Sequence, residues 1–319
     1  MRLAPSNSDT RRLFHWGARA REMHNHFLDQ RTANDIDKRV AKLLNDLAHP
    51  QPPLRLELVR DILELDRAYY SSSDGGVLAD TVHRLKVAGK QVILRPSILL
   101  DVVKKLELKA LWVPDRKRIL IDSELPTVKQ RWGEAHEIGH SLLPWHEAVL
   151  HGDERRTLSL ACQQQVEAQA NYAAGRLLFL QEAFTERLRS SPLTLDWVKK
   201  LAREFGNTIT STLWRAVEAT EHPAFGLVSQ HPRDPLGETP LRYFVRSRSF
   251  TQHFGALTAG EIFTSLRRFC FGKRGPIGQD ELLFRDASGQ QHRFFVEAFY
   301  NGHEALTLGV RQCLRSSTA

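Results

Sequence analysis

The chain is poor in cysteine, nearly devoid of methionine and lacks any long apolar run. Its three cysteines, Cys162, Cys270 and Cys313, fall in no paired pattern, which excludes a disulfide framework and suits a reducing compartment. No stretch approaches the roughly eighteen consecutive apolar residues that a spanning helix needs. The opening Met1-Arg2-Leu3-Ala4-Pro5-Ser6 lacks the apolar centre of a secretory signal. A cytoplasmic protein with no membrane partner is therefore expected. What is present, 41% apolar and 26% charged residues over 319 positions, is ordinary globular composition with room for two or three domains. The formal charge of +8 invites acidic partners, although spread over this length it also serves solubility.

The most informative stretch is His136-Glu137-Ile138-Gly139-His140. On a helix the two histidines lie one turn apart on one face, the spacing that two ligands of a tetrahedral Zn²⁺ require. Glu137 lies about 100° further round, where it can take a proton from a water without itself ligating. Ile138, Leu142 and Leu143 give the helix an apolar face to pack. His146 completes the histidine spacing of metzincins, but that pattern needs Gly where Leu143 stands and a methionine turn below the metal. Both methionines, Met1 and Met23, precede the motif, and the metzincin reading fails. A carboxylate on a following helix is the other source of a third ligand, and the stretch from Gln165 to Leu178 offers Glu167. Ala170, Ala173, Ala174 and Gly175 would let that helix approach another closely, and Asn171, one turn on, is placed to brace the Glu167 carboxylate. His151 and Tyr172 are candidates for stabilising charge in the transition state. Cys162, five residues before Glu167, is a candidate inhibitory thiol ligand, provided the helix begins between the two.

Arg131-Trp132-x-x-Ala135-His136-Glu137-Ile138-Gly139-His140, followed by Glu167-x-x-x-Asn171-Tyr172-Ala173-Ala174-x-x-Leu177-Leu178, resembles the ImmA/IrrE metallopeptidases of bacteria and mobile elements. The resemblance is good from about Pro52 to Leu180. It implies that His136, His140 and Glu167 bind zinc, that Glu137 is the catalytic base, and that the substrate is a helix-turn-helix repressor whose cleavage switches on a stress or defence operon. Spacing by itself supports a zinc hydrolase.

Four segments follow: a helical extension over 1–50, a mainly helical zincin-like metallopeptidase domain with a small sheet over 51–190, a helix-turn-helix-like segment over 191–222, and an α/β domain over 223–319. The overall class is α+β. Residues 91–94, 110–114 and 118–122 read as strands, and the hairpin of residues 109–122 is placed to pair with a substrate backbone. Leu195 to Val217 resembles a helix-turn-helix with Ala202 and Gly206 at its tight positions, but its second helix carries only Arg215. That pair reads better as packing under the catalytic domain, or as a dock for a helical substrate. After Pro223, alternating apolar residues give strands near 225–228, 241–246, 281–284, 293–299 and 305–310, with a helix near 259–269. Position after the protease suggests a GAF-like sensor, by analogy. Cations interleave with aromatics at Arg242, Arg246 and Arg248 and again at Arg267, Arg268, Lys273 and Arg274, a pattern that suits single-stranded DNA as an activating ligand. The alternative for the whole chain is a DNA-binding transcriptional regulator with a structural zinc.

Overall fold

The structure, a computed structural model, describes residues 23–25, 27–70, 110–113, 117–146, 160–233 and 240–312. The expected strand at 91–94, His151 and Cys313 lie outside them. Helix α1 (Gln30–Asp46) starts at Asp29, whose carboxylate accepts from Thr32 N at 2.9 Å. It buries Ala33, Ile36, Val40, Leu43 and Leu44 at helical spacing. Helix α2 (Leu56–Leu63) leads into β2 (Asp66–Tyr70), which pairs in parallel with β4 (Arg118–Asp122). Strand β3 (Ala110–Val113) pairs antiparallel with the other side of β4, so in this three-stranded sheet of the described residues β3 is an edge. The long helices α3 (Thr127–Ser141) and α4 (Leu160–Leu178) follow. Glu134 of α3, nearly buried, receives Arg60 Nε of α2 at 2.6 Å and Arg67 Nη1 of β2 at 3.0 Å, which ties α3 to both elements.

Helix α1 packs on α4 through charge as well as apolar area. Arg176 Nε and the Tyr172 hydroxyl both donate to Asp37, at 2.6 Å and 3.2 Å, and Gln181 Nε2 donates to the Asp37 carbonyl. Burial works against the Arg176 charge, but the Asp37 charge and the Glu182 bond hold its pKa above the ordinary value.

Helices α5 (Glu182–Arg189), α6 (Leu195–Phe205) and α7 (Ile209–Ala219) connect the two sheets. Thr194 and Thr208 cap α6 and α7 by accepting from Trp197 N and Ser211 N, each cap contributing about 1 kcal/mol. Gly206 ends α6 in the left-handed region at φ 66°, and a Cβ there would meet Pro53 at 2.8 Å. The helix pair expected here is present, with α7 laid against two strands of the second sheet, β5 (Ala224–Ser229) and β6 (Leu241–Arg246). Its Arg215 turns inward, 12% exposed, with a carboxylate oxygen of Glu218 3.9 Å away.

The second sheet orders its strands β1-β6-β5-β9-β8-β7: β1 (Met23–His24), β5 (Ala224–Ser229), β6 (Leu241–Arg246), β7 (Gly275–Arg285), β8 (Gln291–Tyr300) and β9 (Ala305–Arg311). The pairings are antiparallel except β1 on β6. Period-two alternation gives the sheet two buried faces. Val228, Val245, Leu306 and Leu308 join the core shared with the helices, whereas Phe225, Leu227, Phe244 and Ala305 belong to a separate core under α8 (Arg248–Phe254) and α9 (Ala259–Leu266).

One expectation needs correction. The N-terminal extension was expected to be helical throughout, but Met23–His24 forms an edge strand on β6, and the Asn25 side chain bonds both Arg246 N and Arg246 O at 2.9 Å. Strand β6 ends at Arg246, where the sequence places it, and the Ser247 hydroxyl accepts from Phe250 N and opens α8. Among the described residues no helix is long and apolar enough to cross a membrane. Glu134→Ala is expected to cost about 3 kcal/mol, because two guanidinium groups lose their shared partner; urea denaturation of the two proteins measures it.

Candidate metal centre

The two helices that carry the candidate ligands approach because one of them has no side chain at the crossing. A Cβ on Gly139 of α3 would meet the Ala170 carbonyl oxygen at 2.7 Å and Ala173 Cβ at 3.3 Å on α4. Gly139 is therefore the position that permits the crossing, and Gly175, expected to share that role, has nothing within 4 Å of where its Cβ would sit. Ala170, Ala173 and Ala174 are fully buried on α4.

At the crossing, His136, His140 and Glu167 each offer a ligand atom, and these atoms lie within 4.8 Å of one another. His136 Nε2 and His140 Nε2 are 3.1 Å apart, and the Glu167 carboxylate oxygens lie 3.1 Å and 3.6 Å from them. Two imidazole nitrogens and one carboxylate, all aimed at one point, form a donor set that fits Zn²⁺. Glu167 remains 58% exposed at its side chain, so the cluster opens to solvent on that side. Glu137, 7% exposed, is not one of the three converging donors, but its charge acts on His136.

Burial pulls the His136 pKa down, yet the Glu167 bond, the Glu137 and Glu167 charges and Asn171 together hold it above the ordinary value. His140 moves the other way, pushed down to about 3 by burial and the neighbouring His136. Burial raises the Glu167 carboxyl, but the His136 bond and the nearby imidazoles outweigh it and hold it below the usual range.

The other expected site residues fall as follows. Asn171 sits one turn after Glu167, but its Oδ1 lies 3.0 Å from His136 Nδ1 and not on the Glu167 carboxylate, because the close helix crossing presents the back of the His136 ring to it. Tyr172 lies about 140° from Glu167 around α4, and its hydroxyl is engaged by Asp37. Helix α4 runs without a break from Leu160, so positions 162 and 167 are also about 140° apart, against a shared ligand role; the Cys162 side chain itself lies outside the described residues. His146, discarded as a ligand, is fully buried behind His140, with Nδ1 to Nδ1 at 3.0 Å.

Of the seven basic candidates in the C-terminal segment, three have partners within the chain, although Arg242 and Arg248 remain exposed. Arg242 pairs with Glu304 and stacks on Tyr243, Arg246 lies over Phe244, and Arg248 lies over Phe27. The aromatics Phe244 and Phe250 are core. Arg267, Arg268, Lys273 and Arg274 are exposed, close in sequence to Phe271, which is 65% exposed. Arg233 stands 4.0 Å over the Phe271 ring, a member of this patch that only the fold brings in. Cys270 beside it is buried, with its thiol pushed up to about 12 by burial.

A helix bearing two histidines one turn apart, crossed by a helix that adds a carboxylate, forms a cluster that could hold a metal ion. Residues 98–216, which include both helices, match the Peptidase_M78 family model, the IrrE N-terminal-like domain. The match supports an ImmA/IrrE-type metallopeptidase family for this part of the chain. Among solved structures, a Mycobacterium tuberculosis transcriptional regulator is similar at 14% identity, with a TM-score of 0.52 over 87% of this chain and 76% of that one. At that identity the likeness is one of fold. No curated protein matches.

Because His136 holds its proton at a pKa above the ordinary value, Zn²⁺ must displace that proton to bind. Affinity is expected to fall as pH drops through the His136 pKa, while Glu167, held below its usual range, stays ionised throughout. Titration of Zn²⁺ against a competing chelator from about pH 8 to about pH 6 would show the loss and the released proton.

Proposed function

We propose that the protein is a zinc metalloendopeptidase that cuts a helix-turn-helix repressor and so derepresses a stress or defence operon. The observation that carries this reading is the cluster of His136, His140 and Glu167, open to solvent at Glu167, with buried Glu137 beside it. A Zn²⁺ held there would supply Lewis acidity, activating a water and polarising the scissile carbonyl. Glu137 accepts the proton of the attacking water and delivers it to the leaving amine. Strand β3, packed beside α3, has its outer edge free of strand partners among the described residues and can pair with an extended substrate backbone. That pairing would lay a peptide bond across the site.

The alternative is a DNA-binding regulator whose metal is structural, a reading in keeping with the M. tuberculosis neighbour being a transcriptional regulator. A structural site closes with four protein ligands, whereas three donors and an open side characterise catalytic sites. The inward turn of Arg215 also removes the one cation that α7 would offer to a phosphate.

The C-terminal segment is read as a GAF-like sensor by its place after the protease and by its α/β build. Its signal is read as single-stranded DNA, held by Arg233, Arg267, Arg268, Lys273 and Arg274 with Phe271 as a stacking surface.

Co-expression with a candidate helix-turn-helix repressor, read by intact mass, tests the activity. The wild type is expected to give one discrete cut, and Glu137→Gln to lower it at least about a hundredfold with zinc and fold retained. Full function in Glu137→Gln would establish the binding protein instead. For the sensor, replacing Arg267, Arg268, Lys273 and Arg274 by Ala is expected to abolish oligonucleotide binding by fluorescence anisotropy. Phe271→Ala is expected to cost about 1–3 kcal/mol, and Arg242→Ala to leave binding unchanged.

A further inference from the structure

Behind His140 lies a chain of hydrogen bonds that the catalytic reading leaves without a role. Trp145 Nε1 lies 2.7 Å from Gln169 Oε1, and the same oxygen lies 2.9 Å from His146 Nε2. His146 Nδ1 in turn faces His140 Nδ1 at 3.0 Å. His146 is wholly buried, Gln169 is 5% exposed, and Arg39 of α1 covers the far end, 5.2 Å over the Trp145 ring.

Proton bookkeeping along this chain has one solution that leaves His140 able to hold a metal. An indole N–H only donates, so the Gln169 atom that it meets must be the amide oxygen. That oxygen only accepts, so His146 Nε2 must carry a hydrogen and donate to it. His146 is wholly buried and its two ring nitrogens meet only the Gln169 oxygen and the His140 ring, so it is the neutral imidazole with one N–H, and its Nδ1 is therefore an acceptor. His140 Nδ1 must then donate, which leaves a lone pair on His140 Nε2, the atom that faces His136 and Glu167. With the amide of Gln169 reversed, its NH2 would face the Trp145 N–H donor to donor, and the His146 and His140 tautomers would both reverse. His140 would then carry its hydrogen on Nε2 and could not ligate.

We propose that Trp145, His146 and Gln169 are positioning residues that set the tautomer and ring plane of His140, with Trp145 as the fixed donor from which the order propagates. The proposal rests on the reading of His136, His140 and Glu167 as metal ligands. His136 has a one-step counterpart, its Nδ1 bonded to Asn171 Oδ1, so the two histidines of one motif are oriented by different devices. Partners of this kind are worth roughly 10- to 100-fold in metal affinity.

The test uses the full chain and Zn²⁺ and Co²⁺ as probes, with a chelator competition for affinity and the visible spectrum of the Co²⁺ form for geometry. Gln169→Leu and His146→Leu are expected to weaken Zn²⁺ binding about 10- to 100-fold and to alter the Co²⁺ bands. Gln169→Glu, which keeps an acceptor oxygen, is expected to restore both. Trp145→Phe frees the amide to turn and is expected to weaken binding while leaving the thermal melting of the metal-free protein near that of wild type. Long-range proton–nitrogen correlations of the zinc-loaded protein should show hydrogen on Nδ1 of His140 and on Nε2 of His146. The opposite tautomer at either ring overturns the proposal, as does unchanged affinity in both leucine variants while His140→Ala abolishes binding. If the wild type binds neither metal, the metal-site reading falls first and this proposal with it.

Discussion

The close crossing of α3 and α4 at Gly139 is the constraint on which the rest depends. With the Ala170 carbonyl 2.7 Å from where a Cβ would sit, the helices meet backbone to backbone, and the Glu167 carboxylate oxygens arrive 3.1 Å and 3.6 Å from the two histidine nitrogens. Moving the helices apart by a methyl group would keep both motifs in the sequence and dissolve the site. Small residues on α4 and a glycine in α3 thus shape the site, although none of them supplies a donor atom to it.

Much of the remaining architecture serves to hold that crossing still. Glu134 is gripped by Arg60 and Arg67 from outside α3, and Arg176 binds α4 to Asp37 of α1. The α6–α7 pair fills the space between the metal helices and the second sheet, and Glu297 of β8 accepts from Leu195 N at the start of α6. One continuous core runs from α1 through α3, α4 and α7 to Val228, Val245, Leu306 and Leu308 of the sheet.

Elements with strong local signals were legible. The histidine spacing, the apolar spacing of α1, the alternation in β5, β6, β8 and β9, and the turns at Asp286 and Asn301 all follow from neighbours in sequence. Elements that depend on distant partners were not. Strand β1 is two residues long and exists because β6 lies beside it. Arg233 joins the basic patch only through the Phe271 ring. Asn171 follows Glu167 by one turn, which suggested the carboxylate as its partner, and the crossing gave it His136 instead.

By itself the sequence determined which groups could ligate, on which face of which helix, and where strands alternate, because helical and extended geometry place side chains from residue spacing alone. Only the tertiary structure decided what each nitrogen and each arginine meets. That choice set His146 behind His140, turned Arg215 inward and left Phe271 outside. The reason is physical: a side chain's partner is chosen by the distance between backbones, and that distance is set by packing among residues far apart in the chain.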